Sequence, residues 1–287
     1  MRIKLQNEIG SFEVGGGSHP IARITSITGI GIPAKEDKTI TFEGQSGSTL
    51  TSYRDLDRTI TMSFDFYGDE YTVEKLYRII YNPLTMTFYL NGRRRKIDGI
   101  CKMATEIENI IYHRWQKIVL QFTCYDPYFK DVSNTRQPIS KVTNHLPNIN
   151  ENTEWYVQLP TVATTRENKG VVINSGNVDV YPIITLQNNQ GVSVLTDDNY
   201  ITVRNLTTGK AITINYLMIT DEIVTVDLPN RRITSSINGN ITNYISSDTV
   251  LGDFMLQLGE NEIEIESTNN DIYAVIEYSN KYASVVI

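Results

Sequence analysis

Cysteine, histidine and tryptophan are scarce in this chain: two Cys, three His and two Trp among 287 residues. Cys101 and Cys124 are too few and too far apart for a disulfide framework or a cysteine-rich metal site, and they read as buried thiols in a reducing compartment. His19, His113 and His145 each stand away from any other His, Cys or paired acid at ligand spacing, so no metal and no cofactor is expected. Long apolar runs are missing too. No stretch approaches the roughly 20 residues that span a bilayer, and residues 1–13 lack a basic start followed by an apolar run. Membrane insertion and secretion are therefore not expected, and synthesis is assigned to a cytoplasm.

Positive charge is also in deficit. The formal net charge is −7 and the sequence pI about 5.1, which repels phosphate backbones at long range and argues against sequence-specific nucleic-acid binding. The machinery of group transfer is absent: there is no Gly-x-Ser-x-Gly, no phosphate-binding loop and no dinucleotide fingerprint, since Gly29-Ile30-Gly31 lacks a third glycine. Glu262, Glu264 and Glu266 alternate with Ile263 and Ile265. A glycosidase pair could reside on such a face, but the pattern reads better as a strand with a wet acidic side and a dry side. No catalytic residue is assigned, and an enzyme is not expected.

What the chain has is β structure. Apolar residues make up 40% of it and charged residues 21%, ordinary values for a folded chain, and many short runs alternate β-branched or aromatic residues with polar ones. At 32.6 kDa two domains are the natural expectation. In the first half, Ile60, Met62, Phe64 and Phe66 alternate with polar neighbours and predict a half-buried strand over 58–66. Val73, Leu76, Tyr77 and Ile80 recur at helical spacing, with Thr72 as the expected cap and Asn82-Pro83 as the stop. Asn91-Gly92 between 84–90 and 93–100 predicts a hairpin. A long strand is expected from about 112 to 123, with Cys124 on the same face as Ile118, Leu120 and Phe122. A short first strand is expected at 3–5, followed by a flexible joint at 15–18.

Between 130 and 169 the pattern weakens into Ser, Asn, Thr and Pro, and the domain join is placed there, giving units of 1–132 and 133–287. Short strands then follow at 170–173, 183–186, 200–205, 211–216, 222–228, 231–235, 253–258, 262–266 and 271–277. Turns at 189–191, 197–199, 208–209 and 238–239 separate them, which suggests a jelly-roll-type β-sandwich. The one basic run, Arg93, Arg94, Arg95 and Lys96, follows the Asn91-Gly92 turn, and it is the candidate contact for assembly or a partner.

The segment Phe122-Thr123-Cys124-Tyr125-Asp126-Pro127-Tyr128-Phe129 resembles the end of the N-terminal domain of phage distal tail proteins. Asn174-Ser175-Gly176 with Tyr181-Pro182-Ile183-Ile184, then Val226-Asp227 with Asn230-Arg231-Arg232, and Gly259-Glu260-Asn261-Glu262-Ile263 are similar, in order and spacing, to the turns of that family's C-terminal sandwich. The resemblance implies a mainly β chain: a split-barrel-like N-terminal domain with one helix, and a galectin-like C-terminal sandwich. It implies a six-membered ring of identical chains at the tip of a virion tail, joined to the tail tube protein on one face and to a baseplate hub or tail-associated lysin protein on the other, with DNA passing through. A receptor-binding protein or a host glycan is a further partner it allows. The alternative reading is a carbohydrate-binding module, for which Tyr181, Tyr200, Tyr216, Tyr244, Tyr273, Tyr278 and Tyr282 are the available rings while Trp115 and Trp155 fall outside the sandwich strands.

Overall fold

The structure is a computed structural model, and it describes residues 1–16, 21–44, 46–67, 69–104, 115–139, 141–145, 163–188, 199–267 and 272–285. Contacts divide the chain into two units: residues 1–133 with 281–287, and residues 134–280. The last residues, which the sequence reading placed with the second unit, thus fall in the first. Each unit has its own apolar core.

The first unit contains β1 (Arg2–Gln6), β2 (Ser11–Val14), β3 (Ala22–Thr28), β4 (Lys35–Ile40), β5 (Thr49–Asp55), β6 (Arg58–Phe66), α1 (Glu70–Ile80), β7 (Leu84–Leu90), β8 (Arg93–Ala104), β9 (Gln116–Cys124) and β10 (Phe129–Asp131). Its main sheet runs β2-β1-β7-β8-β9-β6-β3, all antiparallel. β8 is long enough to serve two neighbours: residues 93–99 pair with β7, and residues from Ile100 onward pair with β9 across a register shift between Cys101 and Met103.

The expected alternation is present in β6, where Ile60, Met62, Phe64 and Phe66 are buried. Asn91 and Gly92 adopt φ of 51° and 79°, the left-handed pair that a two-residue hairpin requires. Helix α1 begins one turn earlier than the sequence suggests. Asp69, not Thr72, is its cap, and the Asp69 carboxylate accepts from the Thr72 amide at 3.0 Å. Val73, Leu76, Ile79 and Ile80 form its buried stripe.

The second unit contains β11 (Thr135–Pro138), β12 (Lys141–His145), β13 (Ala163–Glu167), β14 (Lys169–Asn174), β15 (Ile183–Asn188), β16 (Ile201–Asn205), β17 (Lys210–Ile214), β18 (Ile223–Asp227), β19 (Arg232–Ser235), β20 (Gly239–Asn240), β21 (Gly259–Ser267) and β22 (Ile272–Tyr278). One sheet runs β11-β22-β15-β18-β19-β20, another β14-β21-β16-β17, and the two bury one shared core between them. Among the described residues β12 pairs with β13 alone.

The strand expected over 253–258 is not formed. Phe254 and Leu256 do alternate inward, but residues 251–253 form a short 3-10 turn. Leu256 makes a single bridge to Val180, and its neighbours are satisfied by asparagine side chains: Met255 O accepts from Asn205, and the Gln257 amide donates to Asn261. Of the joint expected at 15–18, Gly15 and Gly16 take positive φ of 73° and 84° and the Gly15 amide donates to Ala22 O at 2.8 Å, while residues 17 and 18 lie outside the described residues; so do the turn expected at 189–191, residues 197 and 198 of the turn expected at 197–199, and the start of the strand expected at 112.

The chain ends in β23 (Lys281–Tyr282), which pairs antiparallel with β10: Phe129 faces Tyr282 and Lys130 faces Lys281. The second unit is therefore an insertion between two adjacent strands of the first. Among the described residues no helix is long and apolar enough to cross a membrane.

Candidate functional site

Strands β4 and β5 pair with each other and, among the described residues, with nothing else. Every residue of β4 is exposed, and so is all of β5 except Asp55. Yet the hairpin and its flanks carry large apolar side chains: Ile32, Ile40, Phe42, Leu50 and Tyr53 are 48–70% exposed. Cross-strand pairs of Lys35 with Asp55 and Glu36 with Arg54 are the charge contacts along it. An isolated two-stranded ribbon is marginal in water, and exposed ion pairs of this kind contribute about 0–1 kcal/mol each. Within the described residues the apolar side chains of the hairpin are not covered, and exposed apolar side chains gathered on one element are the mark of an interaction surface.

The hairpin springs from a densely hydrogen-bonded base. The Leu56 amide donates to Ala34 O at 2.8 Å, closing its two leads. The Tyr128 hydroxyl donates to the Asp55 carboxylate, and burial with that carboxylate holds the phenol above its ordinary pKa. Arg58, 3% exposed, lies at the end of the outgoing lead. It donates 2.6 Å hydrogen bonds to four main-chain carbonyls: Gly29, Gly31, Pro127 and Ala283. Burial lowers its pKa, with Cys124, Asp55 and Tyr128 opposing, but a guanidinium remains charged here as elsewhere. Gly29 has φ +81°, and a Cβ there would come within 2.0 Å of Thr59 O, so only glycine allows this approach.

The basic run from the sequence is split by burial along β8. Arg93 and Arg94 are exposed in β8. Arg95 is 6% exposed, its guanidinium 3.6 Å from the Tyr282 ring centroid, and it donates to Ser284 O. Burial lowers its pKa, with Tyr282 opposing. Lys96 reaches Val132 O at 3.1 Å. The structure thus brings Arg95 and Arg58 together around residues 281–285, a role that the sequence reading assigned to neither.

The carboxylates of Glu264, Glu266, Asp98 and Asp126 are held in ion pairs. Glu264 and Glu266 pair with Lys169 and Arg204 across the sheet, and Ile263 and Ile265 are buried behind them. A cleft of about 720 Å³ beside the β1–β2 turn contains Asp98 and Asp126, but both carboxylates bind Lys130, and Lys281 adds a second bond to Asp126. Burial pushes the Asp126 pKa up, and these two lysines more than offset it. Among the described residues no group of three or more His, Cys, Asp or Glu could hold a metal. His19, His113 and Trp155 lie outside the described residues, as does the side chain of His145. Of the tyrosines considered as sugar platforms, Tyr200, Tyr244 and Tyr273 are exposed, Tyr216 and Tyr278 are buried, and Tyr282 belongs to the first unit.

Residues 175–282 match the family model described as the C-terminal domain of siphovirus-type tail components. The chain is similar to the structure of SPP1 Dit (gp 19.1), described as a hub adsorption apparatus in phages infecting Gram-positive hosts, at 15% identity and a TM-score of 0.62, over 90% of this chain and 93% of that one. It is also similar to a component of the phage P2 baseplate in its activated conformation, at 12% identity and a TM-score of 0.51, over 96% and 98% of the two chains. At these identities the likeness establishes the fold. A search of curated proteins finds no match.

Proposed function

We propose that the chain is a phage distal tail protein whose first unit closes a six-membered ring at the tail tip, joining the tail tube to the baseplate hub while DNA passes through; the match of residues 175–282 to the siphovirus-type tail component model and the fold shared with SPP1 Dit support this reading. The observation that carries this reading is the β4–β5 hairpin. It projects apolar side chains from a rigid base and pairs with no other strand among the described residues, as expected of an arm that packs on the neighbouring copy. A heterologous contact repeated around a closed rotation makes a ring. The function is then geometric, with no bond-making chemistry. A net charge of −7 per chain favours a lumen along which DNA slides without sticking. Arg93 and Arg94, exposed on β8, are the remaining candidates for contact with an acidic partner of the tail.

The test is solution mass by light scattering over a concentration series, with negative-stain images. The expected species has six times the 32.6 kDa chain mass and a hollow centre. The double variant Leu50→Asp, Tyr53→Asp should shift it to monomer while leaving the thermal transitions in place. A parent protein that stays monomeric at every concentration, alone and with tail tube protein added, would sink the ring reading.

A further inference from the structure

Residues 281–285 follow the second unit in sequence but are built into the first. β23 pairs with β10, and the Lys281 ammonium lies 3.0 Å from Asp126. Tyr282 is stacked under Arg95, which also donates to Ser284 O. Ala283 O accepts from Arg58, and the Val285 amide donates to Ile30 O at 3.2 Å while its side chain is 3% exposed.

These partners converge on one place. Gly29, Ile30 and Gly31 form the incoming lead of the β4–β5 hairpin, and Arg58 ends the outgoing lead. A single guanidinium therefore bonds the incoming lead twice, the turn before β10 once and the returning segment once. Val285 adds a bond to the same incoming lead. The hairpin's internal pairing involves none of these bonds, whereas both of its leads do. With the segment removed, the incoming lead loses its bond from Val285, and the Arg58 fork loses one of its four acceptors.

We propose that residues 281–285 are an assembly strap: they fix the direction in which the β4–β5 hairpin leaves the first unit, and so preorganise it to engage the neighbouring copy. This rests on the reading of the hairpin as the contact between copies. An arm held in its bound direction loses less freedom on docking, so releasing it weakens assembly without removing one intersubunit atom. The loss per contact is on the order of tenfold or more in subunit affinity, and it compounds around a ring.

The experiment compares the full-length parent with Val285→Asp, which places a carboxylate in the buried strap pocket, and with the milder Tyr282→Ala, which removes the ring beneath Arg95. Amide hydrogen exchange and solution mass are read on each. The expected result is exchange at least tenfold faster in 29–32 and in the hairpin leads, unchanged exchange in β6 and β9, and a ring that dissociates at concentrations where the parent is intact. Leu50→Asp, Tyr53→Asp serves as the control: a monomer in which 29–32 stays protected would show that the strap holds the hairpin and the ring does not hold the strap. Faster exchange confined to 281–285, with protected hairpin leads and an intact ring, would overturn the proposal. Should Val285→Asp loosen β6 and β9 as well, Tyr282→Ala decides by the same criteria. A parent that forms no ring counts against the oligomer reading alone, and the strap then stands or falls on the exchange of the hairpin leads.

Discussion

The two units bury their polar groups by different means. The first has an aromatic core, with Phe64, Phe66, Phe88, Phe122 and Phe129 fully buried, and its buried cations Arg58 and Arg95 bond main-chain carbonyls. The second has an aliphatic core with one such phenylalanine, Phe254, and it buries asparagines. Asn174, Asn188, Asn205 and Asn261 are each 0–1% exposed. Asn205 accepts from the Thr207 and Thr208 amides while donating to Met255 O and Asn261. Asn261 donates to Gln257 O and Gly259 O. Reach explains the difference. A guanidinium holds five donors in a fork and can tie segments that are distant in sequence, as Arg58 ties Gly29 to Ala283. A carboxamide is short, offers both donor and acceptor, and serves the tight corners of a sandwich where strand partners run out.

Three perturbations bear on this contrast, in decreasing order of expected effect. Arg58→Met leaves four carbonyls without their donor and removes the link between the returning segment and the hairpin leads. The first unit should lose about 3–5 kcal/mol and the second nothing, read as separate transitions in calorimetry or urea. Equal loss in both units would show that they unfold as one and would break the comparison. Asn205→Ala should cost the second unit about 1–3 kcal/mol, the price of unpaired main-chain groups at one corner, with the first unit unchanged.

The third is alkaline pH, where the units should part in order. Burial raises the Cys124 thiol to about 12 from an unfolded value of 9.0, against the opposing charge of Arg58. Cys101 is raised as well, also by burial. A raised folded pKa means that stability is fully present below the unfolded value and is lost as pH climbs through the folded one. The first unit should therefore begin to weaken from pH 9, by up to about 1.4 kcal/mol per pH unit for each fully linked thiol. The second unit has no cysteine. Its buried phenols Tyr216 and Tyr278 are raised from 10.0, Tyr216 first by burial and then by its bond to Glu222, so its loss should start about one unit later. Urea midpoints from pH 8 to 11 read the order, and Cys124→Ala should remove part of the first unit's early slope.

Much of the fold was legible in the sequence, because alternation and turn chemistry are local. β6, the Asn91-Gly92 hairpin, the apolar stripe of α1 and most sandwich strands follow from residues within a dozen positions of one another. What was not legible depends on partners distant in the chain. β4 and β5 lack an alternating pattern because neither face is buried in this chain, so the rule that finds strands has nothing to read. The return of 281–285 involves bonds spanning 189 and 225 residues. A signal was nonetheless present. Arg58 stands in phase with Ile60, Met62, Phe64 and Phe66, and Arg95 with Ile97 and Gly99, so each charge falls on the dry side of its strand.

The pairing of β10 with β23 has a consequence for how such chains diversify. The second unit leaves and re-enters its host at strands whose facing Cα atoms lie about 5 Å apart, like any antiparallel neighbours. A domain grafted there must present its own two ends at that spacing, and any domain that does so can be exchanged without disturbing the host sheet. The junction works as a socket: recombination at these two points would exchange the second unit while the sheet of the first stays the same.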